Sequence, residues 1–469
     1  MVLSSKEMAV IDRNAQYFDK SEMDLMEKAG KKVAEEIEFG ESASVFCGEG
    51  NNGGDGFVVA RYLKEKGYEV FVYLVGDSSS LRTEAAKKNF EELKKLDVTI
   101  FEEKDPGFYD NLEISSDVVV DAILGLGIKG KPREPQKSAI KAINNSTAKK
   151  ISVDIPSGIN PDTGEGKGIK PDKTITFHEK KKGNKNAKTV EIGIPQKAKT
   201  HAGPGHLYYL NQRKKTSHKG ENGTILILGG GEFTGAPAIS AMSALRSGVD
   251  LPIIHTKNKV KDIIAGFSPN LIVKSHKNYK KAQKNLKNNI KKFDSVLIGP
   301  GIGREKKDIN ALIKLIPKIN KPTILDADAL HAATKDIDMI NNKIITPHES
   351  EFKKLFNKKG TKENVKKMAK KHSCIIVKKS NIDIISNGQK TKLNESGTPA
   401  MTVGGTGDAL AGAIAANVAK NKNNLFETTV ATTFLIGKAG ELAEKEYGNG
   451  LTATDLIEKI PKAKEKLND

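Results

Sequence analysis

Residues 397–408 read Gly-Thr-Pro-Ala-Met-Thr-Val-Gly-Gly-Thr-Gly-Asp and join a glycine-rich loop to an alanine-rich helix predicted over 409–419. The first amides of such a helix lack intrahelical acceptors and lie at the positive end of its dipole, which favours a bound phosphate. Asp408 at this helix start is expected to keep a low pKa and to accept a proton from a substrate hydroxyl. A helix N-cap after a glycine turn explains the stretch equally well, so the rest of the chain has to decide.

Length and composition indicate a multidomain α/β protein. A chain of 469 residues exceeds one ordinary domain, and its 43 glycines and 37% hydrophobic residues suit a protein rich in strand–helix turns. No apolar run is long enough to cross a membrane, and the amphipathic N-terminus is unlike a signal peptide. Cys47 and Cys374 lie in separate apolar runs and are predicted to be buried free thiols. We therefore expect a cytoplasmic protein with no membrane partner.

The net charge of +19 raises nucleic acid as a candidate partner. The lysines are spread over predicted helices, as in 277–292 and 353–371, with few interleaved aromatic residues or arginines. This pattern is typical of a solvated surface. We expect small-molecule substrates, no specific nucleic acid partner and a homo-oligomer.

The first half begins with a pattern that suits phosphate binding. A serine-capped helix over 21–34 leads to a strand at 44–47, and residues 48–56 read Gly-Glu-Gly-Asn-Asn-Gly-Gly-Asp-Gly. The next helix is predicted from Phe57 to Lys66, with Asp55 at its start. The spacing departs from the dinucleotide-binding fingerprint, but five glycines in nine residues are too many for an ordinary turn.

Alternation of strands and helices predicts a doubly wound parallel sheet in this half. Asp121 and Asp154 fall at or near the carboxyl ends of two strands, at the edge where ligands bind in open α/β sheets. One strand-end aspartate alone is usually a cap, whereas two of them with the Asn-Gly segment favour a site. The further strands are predicted at Glu69–Val75, Val98–Phe101, Val118–Leu124, Lys150–Asp154 and Thr174–Phe177.

Four motifs resemble the NAD(P)H-hydrate epimerase family: Asn51-Asn52-Gly53-Gly54-Asp55-Gly56, Asp121-Ala122-Ile123-Leu124-Gly125-Leu126-Gly127, Asp154-Ile155-Pro156-Ser157-Gly158 and Thr176 to Gly183. The resemblance implies a Rossmann-like domain in which Asp121 and Asp154 are catalytic and Asp154 contacts the substrate. It implies a potassium ion on Asn52, Asp121 and Ser157, whose oxygens suit a hard cation. It also implies that the hydrated dinucleotide is held by Asn51, Asn52, Gly53, Gly54, Asp55, Gly125, Leu126, Gly127, Ile128, Lys129, Gly130 and Lys131.

The second half repeats the alternation after a basic connection over 196–217 that is punctuated by glycine and proline. The domain boundary is placed near residue 205, which gives domains 1–205 and 206–469. Strands are predicted at Thr224–Leu228, Asp294–Ile298, Thr323–Leu325 and Lys343–Ile345. They run into Gly229-Gly230-Gly231, Gly299-Pro300-Gly301-Ile302-Gly303, Asp326-Ala327-Asp328 and Thr346-Pro347-His348.

This ordered series resembles the ribokinase-like superfamily, and most specifically its ADP- or ATP-dependent NAD(P)H-hydrate dehydratase branch. The resemblance implies that Asp408 is the catalytic base on the substrate hydroxyl and that Mg²⁺ binds with the nucleotide. It implies a substrate pocket lined by Ala236, Gly301, Gly303, His348 and Asp408. It implies a nucleotide site formed by Lys378, Lys379, Ser380, Asn381, Ile382, Gly404, Gly405, Thr406 and Gly407.

The chain departs from this branch at one turn. Family members have Lys-Gly-x-x-Thr where residues 378–382 read Lys-Lys-Ser-Asn-Ile. Lys379 in place of glycine adds a positive charge near the nucleotide, where lysine is a point-charge partner for phosphate. The fused two-domain order implies ADP as the preferred phosphoryl donor.

The two resemblances together imply a bifunctional enzyme, an isomerase and a lyase, that repairs NADH and NADPH hydrated on the nicotinamide ring. The first domain would interconvert the R and S hydrates, and the second would dehydrate the S hydrate with ADP, giving AMP and phosphate. A ribokinase-like vitamin-precursor kinase with a non-catalytic N-terminal ligand-binding module is the alternative. That alternative shares the Gly-Thr-Gly-Asp loop but does not explain Thr346-Pro347-His348-Glu349.

Overall fold

The computed structural model describes residues 2–127, 130–211 and 213–467, except for the side chains of residues 284, 285, 287 and 288. The chain divides into two compact units, Met1–Ala198 and Lys199–Asp469. This division lies before the predicted boundary at residue 205, because the residues after it hydrogen-bond within the second unit. The Ala202 amide donates to the Leu393 carbonyl at 2.7 Å, and Lys392 Nζ donates to the Lys199 carbonyl.

The first unit alternates strands and helices. Its strands are β1 (Val2–Leu3), β2 (Ser42–Cys47), β3 (Glu69–Val75), β4 (Thr99–Glu103), β5 (Val118–Ala122), β6 (Lys149–Val153), β7 (Lys173–Phe177), β8 (Lys180–Lys181) and β9 (Lys188–Val190). Its helices are α1 (Ser5–Tyr17), α2 (Glu22–Glu35), α3 (Asn51–Glu65), α4 (Glu84–Lys94), α5 (Pro106–Asp110) and α6 (Gln136–Asn145), and α7 (Gln196–Thr200) follows at the division.

Seven of these strands form one parallel sheet in the order β4-β3-β2-β5-β6-β7-β9. Central parallel strands are buried on both faces, so most of their residues are apolar. In β5, Val118 and Val120 pack into the core on one face of the sheet, and Val119 packs into the core on the other. The predicted doubly wound sheet is confirmed, and the carboxyl ends of β2, β5 and β6 meet at one edge.

The Asn-Gly segment is helical, so the prediction of a loop up to residue 56 is wrong. Helix α3 begins at Asn51, which places Asp55 inside the helix and not at its start. The glycines permit close packing: a Cβ on Gly53 would overlap the carbonyl oxygen of Gly48, and one on Gly56 would meet side chains of β2 and β5. Helix propensity disfavours glycine in a helix and does not reveal this use.

The second unit has the same alternation. Its strands are β10 (Thr224–Leu228), β11 (Leu251–Lys257), β12 (Ile272–His276), β13 (Ser295–Ile298), β14 (Thr323–Leu325), β15 (Ile344–Ile345), β16 (Ile375–Lys378), β17 (Asp383–Ser386) and β18 (Thr391–Asn394). Its helices are α8 (Gly235–Arg246), α9 (Lys261–Gly266), α10 (Tyr279–Asn289), α11 (Lys306–Leu315), α12 (Asp328–Ala333), α13 (Glu349–Phe356), α14 (Lys362–Lys371), α15 (Thr406–Lys420), α16 (Leu425–Tyr447) and α17 (Ala453–Lys466).

These strands form one sheet in the order β12-β11-β10-β13-β14-β15-β16-β17-β18, parallel up to β16 and antiparallel beyond it. Ile225 and Ile227 of β10 pack into the core shared with α8, α15 and α16, whereas Leu226 and Leu228 pack into the core shared with α10 to α13. The sheet is therefore covered on both faces. Within the described residues, no helix has the length and apolar character needed to cross a bilayer.

Candidate active sites

A cleft of about 730 Å³ opens at the carboxyl edge of the sheet in the first unit. Gly53 and Gly54 are buried and, like Gly130, do not lie on its wall. The predicted residues Ile128 and Lys129 lie outside the described residues. The predicted residues on the wall are Asn51, Asn52, Asp55, Gly125, Leu126, Gly127, Lys131 and Asp154.

Asp121 and Ser157 are joined by hydrogen bonds at the end of β5. The buried Asp121 carboxylate accepts from the Ser152 hydroxyl at 2.7 Å, from the Ser157 amide at 2.9 Å and from the Ser157 hydroxyl. Burial raises the pKa of Asp121, and these serine donors oppose the rise. The Leu124 amide donates to Ser157 Oγ at 2.9 Å, which ties the loop after β5 to this pair.

Asn52, the third predicted potassium ligand, lies against the same loop. A Cβ on Gly125 would be 3.2 Å from Asn52 Cβ and 3.6 Å from Asn52 Oδ1. The amide nitrogen of Asn52 is buried and has no hydrogen-bond partner within the described part of the chain. One side-chain amide, one carboxylate and one hydroxyl form an oxygen-donor set of low charge, which fits a monovalent cation better than a divalent one.

Asp154 and Lys181 form a buried ion pair on the wall of the cleft. Lys181 Nζ donates to Oδ1 of Asp154, which also accepts from the Thr176 hydroxyl at 2.8 Å and the Phe177 amide at 3.4 Å. No donor among the described residues reaches Asp154 Oδ2. Asp154 has a φ of 63°, a conformation that is uncommon outside glycine and that clusters at functional sites. The strand end thus presents one carboxylate oxygen to the cleft.

The cleft also holds a carboxyl group that the sequence motifs do not indicate. Asp12 of α1 lines the wall together with Met8 and Gln16, four residues to either side, so one face of the helix meets the cleft. Burial raises the pKa of Asp12 to about 7, although the Lys181 ammonium acts in the opposite direction. The four-residue spacing was the only sequence signal, and the same spacing is equally typical of a helix face that packs in the core.

In the second unit, the Gly-Thr-Gly-Asp loop leads into α15 as predicted. The helix begins at Thr406 after Gly405, whose φ of 95° is readily adopted by glycine. No described residue accepts a hydrogen bond from the amides of Thr406, Gly407 or Asp408, so these amides can bind an anion. The Ser240 hydroxyl of α8 donates to the Asp408 carbonyl at 3.0 Å and holds this helix start in place.

Lys379 connects the start of α15 to the carboxyl end of β14. Its Nζ lies 3.0 Å from Asp326 Oδ1 and 3.3 Å from the position that a Cβ on Gly407 would occupy. The Thr346 hydroxyl donates to the same Asp326 oxygen at 2.8 Å. Burial lowers the pKa of Lys379, but the carboxylates of Asp326 and Glu351 outweigh it and raise the pKa overall. Sequence analysis placed Lys379 at the nucleotide and gave Asp326 no role.

The prediction of a low pKa for Asp408 is wrong. The pKa of Asp408 is raised to about 7, first by burial and then by the Asp326 carboxylate, while the Lys379 ammonium acts to lower it. The helix dipole favours the ionised form, but desolvation beside a second carboxylate outweighs the dipole. A carboxyl group with this pKa is half-ionised at neutral pH, as suits a general base.

Two glycine loops form another part of this site. The Gly230 amide donates to the Pro300 carbonyl at 2.8 Å, which joins the loop after β10 to the loop after β13. Gly301 and Gly303 have φ values of 64° and 86°, which disfavour any larger residue. The Gly303 amide donates to Asp328 Oδ2 at 2.8 Å, so this loop is also fixed to α12.

The other two predicted pocket residues lie at helix starts. Ala236 is in the first turn of α8, directly after the loop that follows β10. His348 is the N-cap of α13, and its Nδ1 accepts from the Ser350 amide at 3.2 Å. Its side chain is 52% exposed, and its Nε2 lies 3.4 Å from Glu351 Oε2. The structure therefore gives His348 the capping role that an isolated histidine at this position suggests, and leaves its ring open to a ligand.

The turn at 378–382 joins β16 to the antiparallel strand β17. Lys378 Nζ lies 3.0 Å from Glu349 Oε2, whereas the neighbouring Lys379 pairs with Asp326. Residues 380–382 are exposed. The two adjacent lysines thus have different partners. Of the two, only Lys379 departs from the dehydratase motif, which has glycine at that position.

Comparison with solved structures gives the class of the second unit. The chain is similar to the crystal structure of a ribokinase-like superfamily protein from Enterococcus faecalis V583, with 25% identity and a TM-score of 0.52, covering 57% of this chain and 96% of that chain. A protein from Streptococcus mutans has the same fold, with 23% identity and a TM-score of 0.51, covering 56% and 98% of the two chains. The second unit has a ribokinase-like fold.

Sequence comparison resolves the family within that class. Residues 224–462 match the NAD(P)H-hydrate dehydratase family, and residues 22–183 match the YjeF-related protein N-terminus. The chain is 39% identical to the bifunctional NAD(P)H-hydrate repair enzyme Nnr of Archaeoglobus fulgidus over 98% of both chains. It is 40% identical to that of Methanothermobacter thermautotrophicus over 98% of this chain and 95% of the relative. The chain belongs to the family of bifunctional NAD(P)H-hydrate repair enzymes.

Proposed function

We propose that this enzyme repairs NADH and NADPH that have gained water on the nicotinamide ring. It is an isomerase that interconverts the R and S hydrates and a lyase that dehydrates the S hydrate. The observation that carries the proposal is the presence of two different sites in one chain, a cleft with the Asp154–Lys181 ion pair and the open amides at the start of α15 beside Asp408. Relatives that match over nearly the full length are named bifunctional NAD(P)H-hydrate repair enzymes.

The first unit is the proposed epimerase. Asp154 presents its Oδ2 to the hydroxyl group of the hydrate, and the loop after β5 holds the dinucleotide. Asp121 acts through the same loop, because it fixes Ser157 and thereby Leu124. Asn52, Asp121 and Ser157 would hold a potassium ion, which when bound would add positive charge beside an anionic dinucleotide.

The second unit is the proposed dehydratase. Asp408 takes the proton from the substrate hydroxyl while the hydroxyl oxygen attacks the terminal phosphorus of ADP, and the bond from that phosphorus to AMP breaks. Phosphate then departs from the ring carbon, pushed out by the lone pair of the ring nitrogen, and loss of a proton from the next carbon restores the double bond. Phosphate is a far better leaving group than hydroxide, so the phosphoryl group divides one hard step into two easier ones.

Charge around the transferred phosphoryl group comes from three sources. The open amides of Thr406 and Gly407 can donate to the phosphoryl oxygens, and the Lys379 ammonium lies against the same helix turn. The carboxyl groups of Asp326, Glu351 and Asp408 outnumber this ammonium, which leaves a need for more positive charge. Mg²⁺ carried with the nucleotide fits this donor set and would neutralise charge on the phosphate oxygens.

ADP is the proposed phosphoryl donor. The reacting phosphorus must reach the start of α15 while the nucleoside rests on the exposed turn at 380–382. One extra phosphate changes that span by several ångströms, so a fixed pocket favours one nucleotide. The proposal also includes a homo-oligomer in the cytoplasm, and the unpaired, buried Cys47 and Cys374 suit a reducing compartment.

Incubation of the full chain with a mixture of hydrate epimers tests the proposal. Without nucleotide, we expect the separated R hydrate to equilibrate with the S hydrate. With ADP, we expect reduced cofactor, AMP and phosphate to form in equal amounts, and faster than with ATP at equal concentration. The proposed function would be refuted if neither hydrate reacted, whether ADP or ATP was supplied.

A further inference from the structure

Asp12 precedes residues 22–183, which carry the family match in the first unit, yet it lies on the wall of the cleft. Helix α1 holds it firmly, because Ser4 and Glu7 form a capping box at the helix start and Met8 and Ile11 are buried in the core. The Asp12 side chain has no hydrogen-bond partner among the described residues. It is therefore a positioned carboxyl group, free to meet a ligand in the cleft.

Charged groups on four neighbouring parts of the first unit act on Asp12 or are acted on by it. Lys181 on β8, Asp154 after β6 and Glu22 on α2 all act on its pKa, and Asp12 itself acts on Asp55 of α3. The pKa of Asp12 is raised to about 7, mainly by burial and also by the two acidic neighbours, while the ammonium acts to lower it. At neutral pH the carboxyl group therefore holds its proton about half of the time.

Asp154, in the same cleft, is paired directly with that ammonium. Its Oδ1 is held by the ammonium of Lys181, whose side chain is only 1% exposed, and by Thr176 and Phe177. Its Oδ2 has no described donor. One carboxyl group is thus held by a cation and the other has no ion-pair partner among the described residues, so the cleft offers two carboxyl groups in different surroundings.

We infer that Asp12 is the acid catalyst of the epimerase and works with Asp154 as the base. This inference rests on the proposed epimerase function and assigns its proton transfers. Both side chains line one cleft, so a single nicotinamide ring bound there can meet both.

The hydroxyl-bearing carbon of the hydrate is bonded to the ring nitrogen, and this bond is the one that breaks. Asp154 removes the hydroxyl proton, the carbon–oxygen bond becomes a carbonyl, and the carbon–nitrogen electron pair moves to the nitrogen, which takes the proton of Asp12. Rotation about the neighbouring carbon–carbon bond then turns the other face of the aldehyde toward the nitrogen. Ring closure returns both protons, so the epimer forms with no net gain or loss of atoms or electrons.

Asp55 is the other carboxyl group that could give this proton. It lies inside α3 on the wall of the same cleft, and burial together with Asp154 and Asp12 raises its pKa well above the ordinary value. A carboxyl group with such a high pKa is a weak acid, so it donates its proton slowly. Asp12, with its pKa near neutrality, suits a proton that must leave and return in each cycle.

The test uses Asp12→Asn in the full chain and follows R-to-S conversion over a range of pH. We expect kcat of the epimerase to fall about 100-fold, with KM within threefold of the wild type. The wild-type rate should decline as the pH rises past the pKa of Asp12, and the residual rate of the variant should lack that decline. Asp12→Glu, which restores a displaced carboxyl group, should recover part of the rate and the decline.

Asp19→Asn is the matched control, because Asp19 is exposed just after α1 and its φ of 70° is well tolerated by asparagine. This control should match the wild type, and the dehydratase rate of Asp12→Asn should be unchanged. An Asp12→Asn rate within threefold of the wild type, or a loss that is equal at every pH and is not recovered by Asp12→Glu, would overturn the inference. A wild-type chain that does not interconvert the hydrates would instead refute the epimerase function itself.

Discussion

The Lys379 ammonium lies 3.0 Å from Oδ1 of Asp326, and this ion pair acts on the protonation of the neighbouring Asp408. Burial and the Asp326 carboxylate raise the pKa of Asp408, and Lys379 acts to lower it, which leaves the pKa at about 7. Asp408 must lose its proton to act as a base, so dehydration should become faster as the pH rises from about 6 to about 8. The charge pair therefore sets the lower pH limit of the dehydratase.

Replacement of Lys379 by methionine should move that limit. The substitution removes a cation that lowers the pKa of Asp408, so the pKa should rise and the rate should need a higher pH. We expect the rising limb of kcat/KM against pH to shift upward by about one unit. Lys378→Met is the matched control, because its ammonium pairs with Glu349 and the limb should stay in place. A limb that does not move in Lys379→Met would contradict this account of Asp408.

Replacement of Asp408 by alanine should separate the two activities. The variant loses the base of the dehydratase, so nucleotide-dependent formation of reduced cofactor should fall by at least about 100-fold. Epimer interconversion depends on the first unit and should be unchanged in the same preparation, which makes it the internal control. Unchanged dehydration in this variant would rule out the role of Asp408.

The epimerase should depend on a monovalent cation. Asn52, Asp121 and Ser157 together supply only one negative charge, too little for a typical divalent site. We expect epimerase activity in potassium to be lost when a bulky organic cation replaces it at equal ionic strength, and Ser157→Ala to weaken the response to potassium. Dehydratase activity in the same buffers controls for general salt effects. Equal epimerase rates with both cations would show that the cluster has a purely structural role.

Replacement of Gly53 by alanine should destabilise the first unit, although alanine favours helices by about 1 kcal/mol over glycine. The added Cβ would overlap the carbonyl oxygen of Gly48, and the clash should cost about 3 kcal/mol or more. Gly50→Ala is the matched control, because nothing lies within 4 Å of its added Cβ. Thermal unfolding of the full chain measures both. Equal stability of the two variants would contradict the packing role of Gly53.

The fold could be predicted where central strands are continuous apolar runs. The bounds of β3, β10 and β14 are as predicted, because parallel strands buried on both faces leave an unmistakable pattern. Interior strand β11 and edge strand β12, which both carry polar residues, were not predicted, and α3 starts earlier than predicted because its glycines serve tertiary packing. The strand-end aspartates were found from their position in the pattern. Asp12 and the raised pKa of Asp408 were not, since both depend on burial by elements distant in sequence.

The extent of conversion of a mixed R and S hydrate preparation in the presence of ADP tests the central claim most directly. The wild-type chain should convert both epimers to reduced cofactor, because the first unit resupplies the S hydrate as the second unit consumes it. The Asp154→Asn variant should consume the S hydrate at the wild-type rate and then slow to the uncatalysed rate of epimer exchange. Complete and rapid conversion by Asp154→Asn, or a wild-type reaction that stops when the S hydrate is exhausted, would contradict the assignment of the two activities to the two units.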